Sequence, residues 1–312
     1  MPLLTPASEG KSTCLIALFV YKRTVHTART ISALSKCPEA SSSDLVVYSD
    51  GPRSEADSAA VHATRAIVRS VQGFRSLRVV EREKNLGLAS NIVSGVTESF
   101  AHADRLIVLE DDIEVSPNFL AFMRAALDHY ESRHDVWSIS GYMYPVSLDP
   151  AYQFDSLLFS RFSCWGWATW RDRWHRVEWK KPDRGTFMGS RDAFWNFWKA
   201  ANDLPEIMLD LIDGRNDSWS ILFNYSQIGS QGFSVHPVRS LVRNIGFDET
   251  GTHTRRAQKS RKQVSPVEGT GRADHFGFAD AYDELCTEPL RKFFSNRIPR
   301  KLKNLVRYGR YF

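Results

Sequence analysis

Three adjacent carboxylates, Glu110-Asp111-Asp112, follow an apolar run at 106–109. Such a run reads as a strand, so it delivers three like charges to the border of a dry interior. Keeping them ionised there is costly unless a cation offsets the charge. A hard divalent ion with oxygen ligands, Mn2+ or Mg2+, suits that task and leaves positions for the phosphate oxygens of a substrate. A solvated acidic turn uses the same residues. The strand before the acids favours the metal reading, as does Ser116-Pro117 after them, an N-cap with proline at the first helical position. A phosphate-loop reading of Gly10-Lys11-Ser12 fails, because Thr5 stands where the earlier glycine is required and no strand precedes it.

Periodicity shows which elements must hold these acids. Residues 14–21, 44–50 and 77–80 read as strands. Ala59, Ala63, Ala66, Ile67 and Val71 recur at helical spacing, and Ile92, Val93, Val96 and Phe100 share one helical face. The helix opened by Ser116 carries Phe119, Leu120, Met123, Leu127 and Tyr130 on one stripe. Strands alternating with helices predict an α/β fold, a mostly parallel sheet flanked by helices. In such sheets ligands sit at the carboxyl ends of the strands. Tyr21-Lys22-Arg23, Asp50-Gly51 and the three acids all fall at such ends and are expected on one rim. Past residue 143 the texture changes: every tryptophan except Trp137 lies between 165 and 219. From Gly251 to Phe276 the chain is polar and basic. The expected organisation is an extension at 1–13, a core at 14–143, a Trp-rich second region at 144–254, and a basic loop and tail at 255–312.

Composition narrows the class. The 312 residues are 42% hydrophobic and 25% charged, which supports a globular core and excludes wholesale disorder. Cys14, Cys37, Cys164 and Cys286 form no CxxC pair and no disulfide framework, as expected of a reducing compartment. The N-terminal residues show no apolar signal segment, and no apolar run approaches the roughly 18–20 residues that span a bilayer. A cytoplasmic protein, soluble or peripheral, is expected, and the sequons at Asn216 and Asn224 are then coincidental.

At these residues the sequence resembles the GT-A fold glycosyltransferases that carry an EDD in place of the commoner DxD. Golgi N-acetylglucosaminyltransferase I and family 2-like bacterial enzymes are of this kind. The resemblance runs from about residue 14 to 254. It rests on strand 1 with Arg23, the strand ending in Asp50, Glu83-Lys84-Asn85-Leu86-Gly87-Leu88, and most specifically the acids with the helix that follows. Trp165-Gly166-Trp167-Ala168-Thr169-Trp170, Asn244-Ile245-Gly246-Phe247 and Gly251-Thr252-His253 extend it. It implies a nucleotide-diphospho-sugar donor. Asp112 would ligate the metal, with Asp111 and Glu110 at the ribose or sugar. Asp50 would accept from the nucleobase, typically uracil, and Arg23 would line that pocket. Asn85, Gly87 and Asn91 would lie where chain and donor approach closely. His253 would complete the metal shell, and Arg243 would reach the diphosphate or else pair with Asp248. Trp165 and Trp167 would stack on an acceptor glycan, since sugar rings present C–H faces to aromatics. An inverting transferase also needs a carboxylate to take the acceptor proton. Asp217, ahead of the apolar stretch at 219–225, is preferred, with Asp213 second; a plain helix cap would demand the same residue type.

Three other classes fit the sequence less well. A sugar-nucleotide pyrophosphorylase needs a glycine-rich loop after strand 1, and residues 21–30 contain no glycine. A non-catalytic carbohydrate-binding protein would not need the acids. A nucleic-acid binder is suggested by the net charge of +5. That average conceals an asymmetry, however. Residues 290–312 hold eight Lys/Arg and no acid, and without them the chain has 33 basic against 36 acidic residues. The basic run at 254–263 accounts for five more cations. The body is therefore acidic and no nucleic-acid partner is expected. The tail mixes cations with Phe, Ile, Leu, Val and Tyr, a combination that suits an anionic membrane surface carrying a lipid-linked acceptor. The same residues could instead pack on the body.

Overall fold

The computed structural model describes residues 14–247, 275–295 and 298–309. Asp248, His253 and the basic run at 254–263 lie outside the described residues.

The β-branched and aliphatic run at the start forms β1 (Cys14–Val20), which becomes the axis of the sheet. On one side it pairs in parallel with β2 (Asp44–Ser49), which pairs with β3 (Ser76–Glu81). On the other it pairs in parallel with β4 (Arg105–Glu110). The sequence continues through β5 (Ile113–Val115), β6 (Val136–Ser140), β7 (Ser156–Phe159), β8 (Trp167–Trp170), β9 (Phe233–Pro237) and β10 (Val242–Asn244). The main sheet has the order β3-β2-β1-β4-β8-β6-β9-β7. Its first half is parallel as expected. Beyond β4 it is mixed, because β8 runs antiparallel between β4 and β6.

Both faces are covered, and the strands alternate accordingly. Ile16, Leu18 and Val20 of β1 face α1 (Thr24–Leu34) and α4 (Phe119–His129). Leu15, Ala17 and Phe19 face α3 (Leu88–Ser99). Helix α2 (Glu55–Arg69) lies on the α1 side through Val68. Helix α4 begins later than the Ser-Pro signal suggests. Asn118 precedes it, and the Ser116 carbonyl, not its hydroxyl, accepts from the Phe119 amide at 3.0 Å.

The second region builds its own core from α6 (Arg184–Gly189), α7 (Arg191–Ala200), α8 (Leu204–Ile212) and α9 (Trp219–Gly229), following the short α5 (Arg171–His175). Leu290 and Phe294 of α10 (Glu284–Phe294) and Tyr308 of α11 (Ile298–Tyr308) are buried in this core. No described helix is long and apolar enough to cross a membrane.

Most tryptophans are structural. Trp137, Trp167, Trp174 and Trp219 join Phe162 and Phe223 under the α3 face. Trp167 is 1% exposed and meets Phe162 edge-on at 5.1 Å. Truncating it would leave a void the size of an indole, so Trp167→Ala should cost about 3–5 kcal/mol. Urea denaturation should show a lower midpoint at unchanged slope.

Candidate active site

The parallel register brings the expected rim together. Phe19 lies opposite Tyr48 on one side and Glu110 on the other, so the chain leaves β1, β2 and β4 at one level. Glu110 is the last residue of β4, and Asp111 and Asp112 form the turn into β5. Arg23 is the cation set among them. Its Nη1 donates to Asp112 Oδ2 at 2.7 Å and stands 3.7 Å from Asp111 Oδ1. The Tyr21 amide donates to Asp111 Oδ2 at 3.4 Å, and the Thr30 hydroxyl fixes the Asp111 carbonyl at 2.8 Å. Among the described residues Arg23 is the one guanidinium paired with these acids, and one does not balance three carboxylates. Burial, followed by the charges of Asp112 and Asp111, pushes Glu110 up to about 8, against the pull of Arg23. Burial and Asp112 push Asp111 up to about 7.

Asp50 organises a neighbouring loop. Its carboxylate accepts from the amides of Gly51 at 2.9 Å, Leu86 at 2.8 Å and Gly87 at 3.1 Å, and from Asn85 Nδ2 at 3.0 Å. A carboxylate offers about four such positions, and all are used within the chain. Gly87 precedes α3, where its carbonyl accepts from the buried Asn91 amide. Arg82 Nε donates to Asn91 Oδ1 at 3.4 Å.

A third segment closes over the acids. β10 pairs with β5, setting Arg243 opposite Glu114, and the two form an ion pair that Arg29 shares at 3.0 Å. The Ile245 amide then donates to the Asp112 carbonyl at 2.8 Å. Gly246 lies directly against the Asp112 side chain. A Cβ there would fall 2.1 Å from Asp112 Oδ2 and 2.8 Å from Arg23 Nη1. Gly246→Ala should therefore separate Arg23 from Asp112 and cost about 1–3 kcal/mol, the usual range for overpacking. Thermal melts would read the stability loss.

Phe247 carries this segment onward to an aromatic cavity of about 200 Å³. Its ring meets Trp165 at 5.4 Å, and Trp165 meets Tyr142 at 4.4 Å. Phe293 and Phe294 of α10 line the same cavity, together with Ser220 of α9. Arg161 reaches it as half of a buried ion pair, 2.6 Å from Asp203, with its guanidinium 4.0 Å from the Phe294 ring centre. Cys164 also lines the cavity, and burial, followed by the charges of Glu110 and then Asp112, raises its thiol pKa. A second, shallower recess of about 370 Å³ beside Asp104 and Trp170 lies at the start of β4, at the far end of the strand from the acids.

The expected acceptor tryptophans divide. Trp165 lines the cavity and Trp167 lies in the core. Asp217 is exposed on the loop into α9, one residue before the cap Ser218. Sequence reasoning missed Tyr142, Arg161, Phe293 and Phe294. The only signal for them was aromatic density, which does not separate cavity walls from core. Among the described residues, no group of three His, Cys, Asp or Glu is arranged as a ready metal cage. The donor chemistry still fits a hard ion of the kind bound through one or two carboxylates plus substrate phosphates.

No family model and no curated protein matches the sequence. Solved structures do match. A mannosyltransferase from Pyrobaculum calidifontis, in complex with GDP-Man and Mn2+, aligns at 11% identity over 73% of this chain and 71% of its own, with a TM-score of 0.39. TarS 1-349 of S. aureus aligns at 11% over 75% and 61%, with a TM-score of 0.44. GalNAc-T7 with UDP, GalNAc and Mn2+ aligns at 11% over 80% and 46%, with a TM-score of 0.46. The chain thus spans less than two thirds of the last two. At such low identity and TM-score, the reading of the site rests on the chain's own residues.

Proposed function

We propose that the protein is a metal-dependent, inverting glycosyltransferase that moves a sugar from a nucleotide-diphospho-sugar, a UDP-sugar by preference, to a glycan or lipid-linked acceptor. The observation that carries this reading is the under-compensated carboxylate triplet on the strand rim, beside an aromatic cavity of single-ring size. Asp112 would hold Mn2+ or Mg2+, with His253 as a further ligand, and the ion would supply Lewis acidity to the departing diphosphate. Arg23 keeps Asp112 oriented at 2.7 Å before an ion arrives. Glu110 and Asp111 hold the loop and face the ribose or sugar. Asp50 acts on the nucleobase pocket through the 85–87 loop that its carboxylate organises. Trp165 offers a ring face to a sugar. Asp217 takes the proton of the acceptor hydroxyl as that oxygen attacks the anomeric carbon. Arg243 supports the site from the β5–β10 ribbon.

Incubation with UDP-, GDP- and dTDP-sugars, with Mn2+ or with chelator, tests the proposal. Metal-dependent release of nucleoside diphosphate is expected. Absence of binding and turnover with every sugar nucleotide would overturn it.

A further inference from the structure

Helix α11 docks through a polar side chain and a tyrosine while two aliphatic residues are left outward. An amphipathic helix normally buries its apolar stripe and exposes its polar one. Here the buried positions among the described side chains are Asn304, fully buried, and Tyr308, 5% exposed. The Tyr308 hydroxyl donates to Asp210 Oδ1 at 2.7 Å and accepts from Arg215 Nη2 at 3.2 Å, which fixes the helix to the end of α8. Leu305 and Val306 consequently face out, at 44% and 89% exposure.

Two outward aliphatic side chains alone do not identify their partner, but the charge of the surrounding sequence does. Residues 290–312 carry eight cations and no acid on a chain whose remainder is acidic. Aliphatic side chains flanked by Lys and Arg suit the boundary between lipid headgroups and acyl chains. There the apolar residues insert and the cations meet anionic headgroups. Nucleic acid would use the cations but has no place for Val306 and Leu305. A second copy of this chain would oppose its cations with cations.

We propose that α11 is an interfacial helix that seats the protein on an anionic lipid bilayer through Leu305 and Val306. This inference is independent of the reaction assigned above. The test is co-sedimentation of the full chain with vesicles of phosphatidylcholine alone, or of phosphatidylcholine with phosphatidylglycerol. Binding is expected to the anionic vesicles only, falling as salt rises. Val306→Glu should weaken it about tenfold, since it loses apolar insertion and adds repulsion. Leu305→Glu should act in the same direction. The melting temperature of Val306→Glu should stay at the wild-type value, because the side chain lies outside the fold. Failure to bind anionic vesicles would overturn the proposal, as would undiminished binding by Val306→Glu. Gel filtration showing a dimer that Val306→Glu dissociates would assign these side chains to self-association instead. Salt-sensitive polynucleotide binding without vesicle binding would assign the cations to nucleic acid.

Discussion

Replacing Asp112 by Asn should abolish metal-dependent release of nucleoside diphosphate, with a loss of about a thousandfold or more. A divalent ion contributes several kcal/mol of charge stabilisation, and each 1.36 kcal/mol is tenfold in rate. Binding should report the same residue. Mn2+ at about 100 times its dissociation constant adds about 2.7 kcal/mol of stability, so the wild type should melt higher with Mn2+ and Asp112→Asn should not. Without metal the substitution has a second signature. Glu110 and Asp111 have folded pKa values raised above 4.5 and 3.8, chiefly by burial and next by Asp112. A raised folded pKa means that the native state holds its proton more tightly than the unfolded chain. The associated stability is complete below the unfolded values and is lost as pH rises through about 7 to 8. The wild-type melting temperature in chelator should accordingly decline from pH 5 to pH 9. In Asp112→Asn the decline should be shallower, because one source of repulsion is gone. An equally steep decline would mean that Asp112 does not act on its neighbours.

The rim was readable because it depends on strong local patterns. Apolar runs at 14–20 and 106–109 with crossover spacing leave a parallel register as the simple solution, and that register brings Arg23 to Asp112. The aromatic cavity was less readable, for identifiable reasons. Trp165 and Trp167 are two apart, so a continuous strand would put both on one face. Gly166 sits at φ +58°, which breaks the alternation before β8 begins and sends the two rings to different places. Asp50 shows a different ambiguity, since a carboxylate that organises a loop and one that reads a base are the same residue in sequence. The β5–β10 ribbon has three residues per strand, too few for periodicity, and its partners lie more than a hundred positions apart. Phe293 and Phe294 reach Tyr144 only through tertiary packing, at 5.8 and 4.6 Å between ring centres.

Replacing Asp217 by Asn should lower sugar transfer by about a hundredfold to ten-thousandfold, the usual contribution of a general base. The thermal shift with Mn2+ and the affinity for the donor should stay near wild type, because Asp217 lies on the α9 entry loop and not among the rim residues. Two neighbouring acids are engaged by guanidiniums. Asp213 accepts from Arg184 at 2.8 Å and lies 2.7 Å from Arg215. Burial works against ionisation there, but the two guanidiniums outweigh it and lower the Asp213 pKa, which makes it a weak proton acceptor. Asp210 is held by Arg215 and by the Tyr308 hydroxyl. Asp213→Asn should therefore leave transfer close to wild type while loosening the α6–α8 contact. The decisive measurement is a paired one, of acceptor-dependent transfer and donor hydrolysis by each variant. Loss of transfer with hydrolysis retained identifies Asp217 as the base. Parallel loss of both would mean that the substitution had disturbed the donor side, and a carboxylate elsewhere would have to accept the proton.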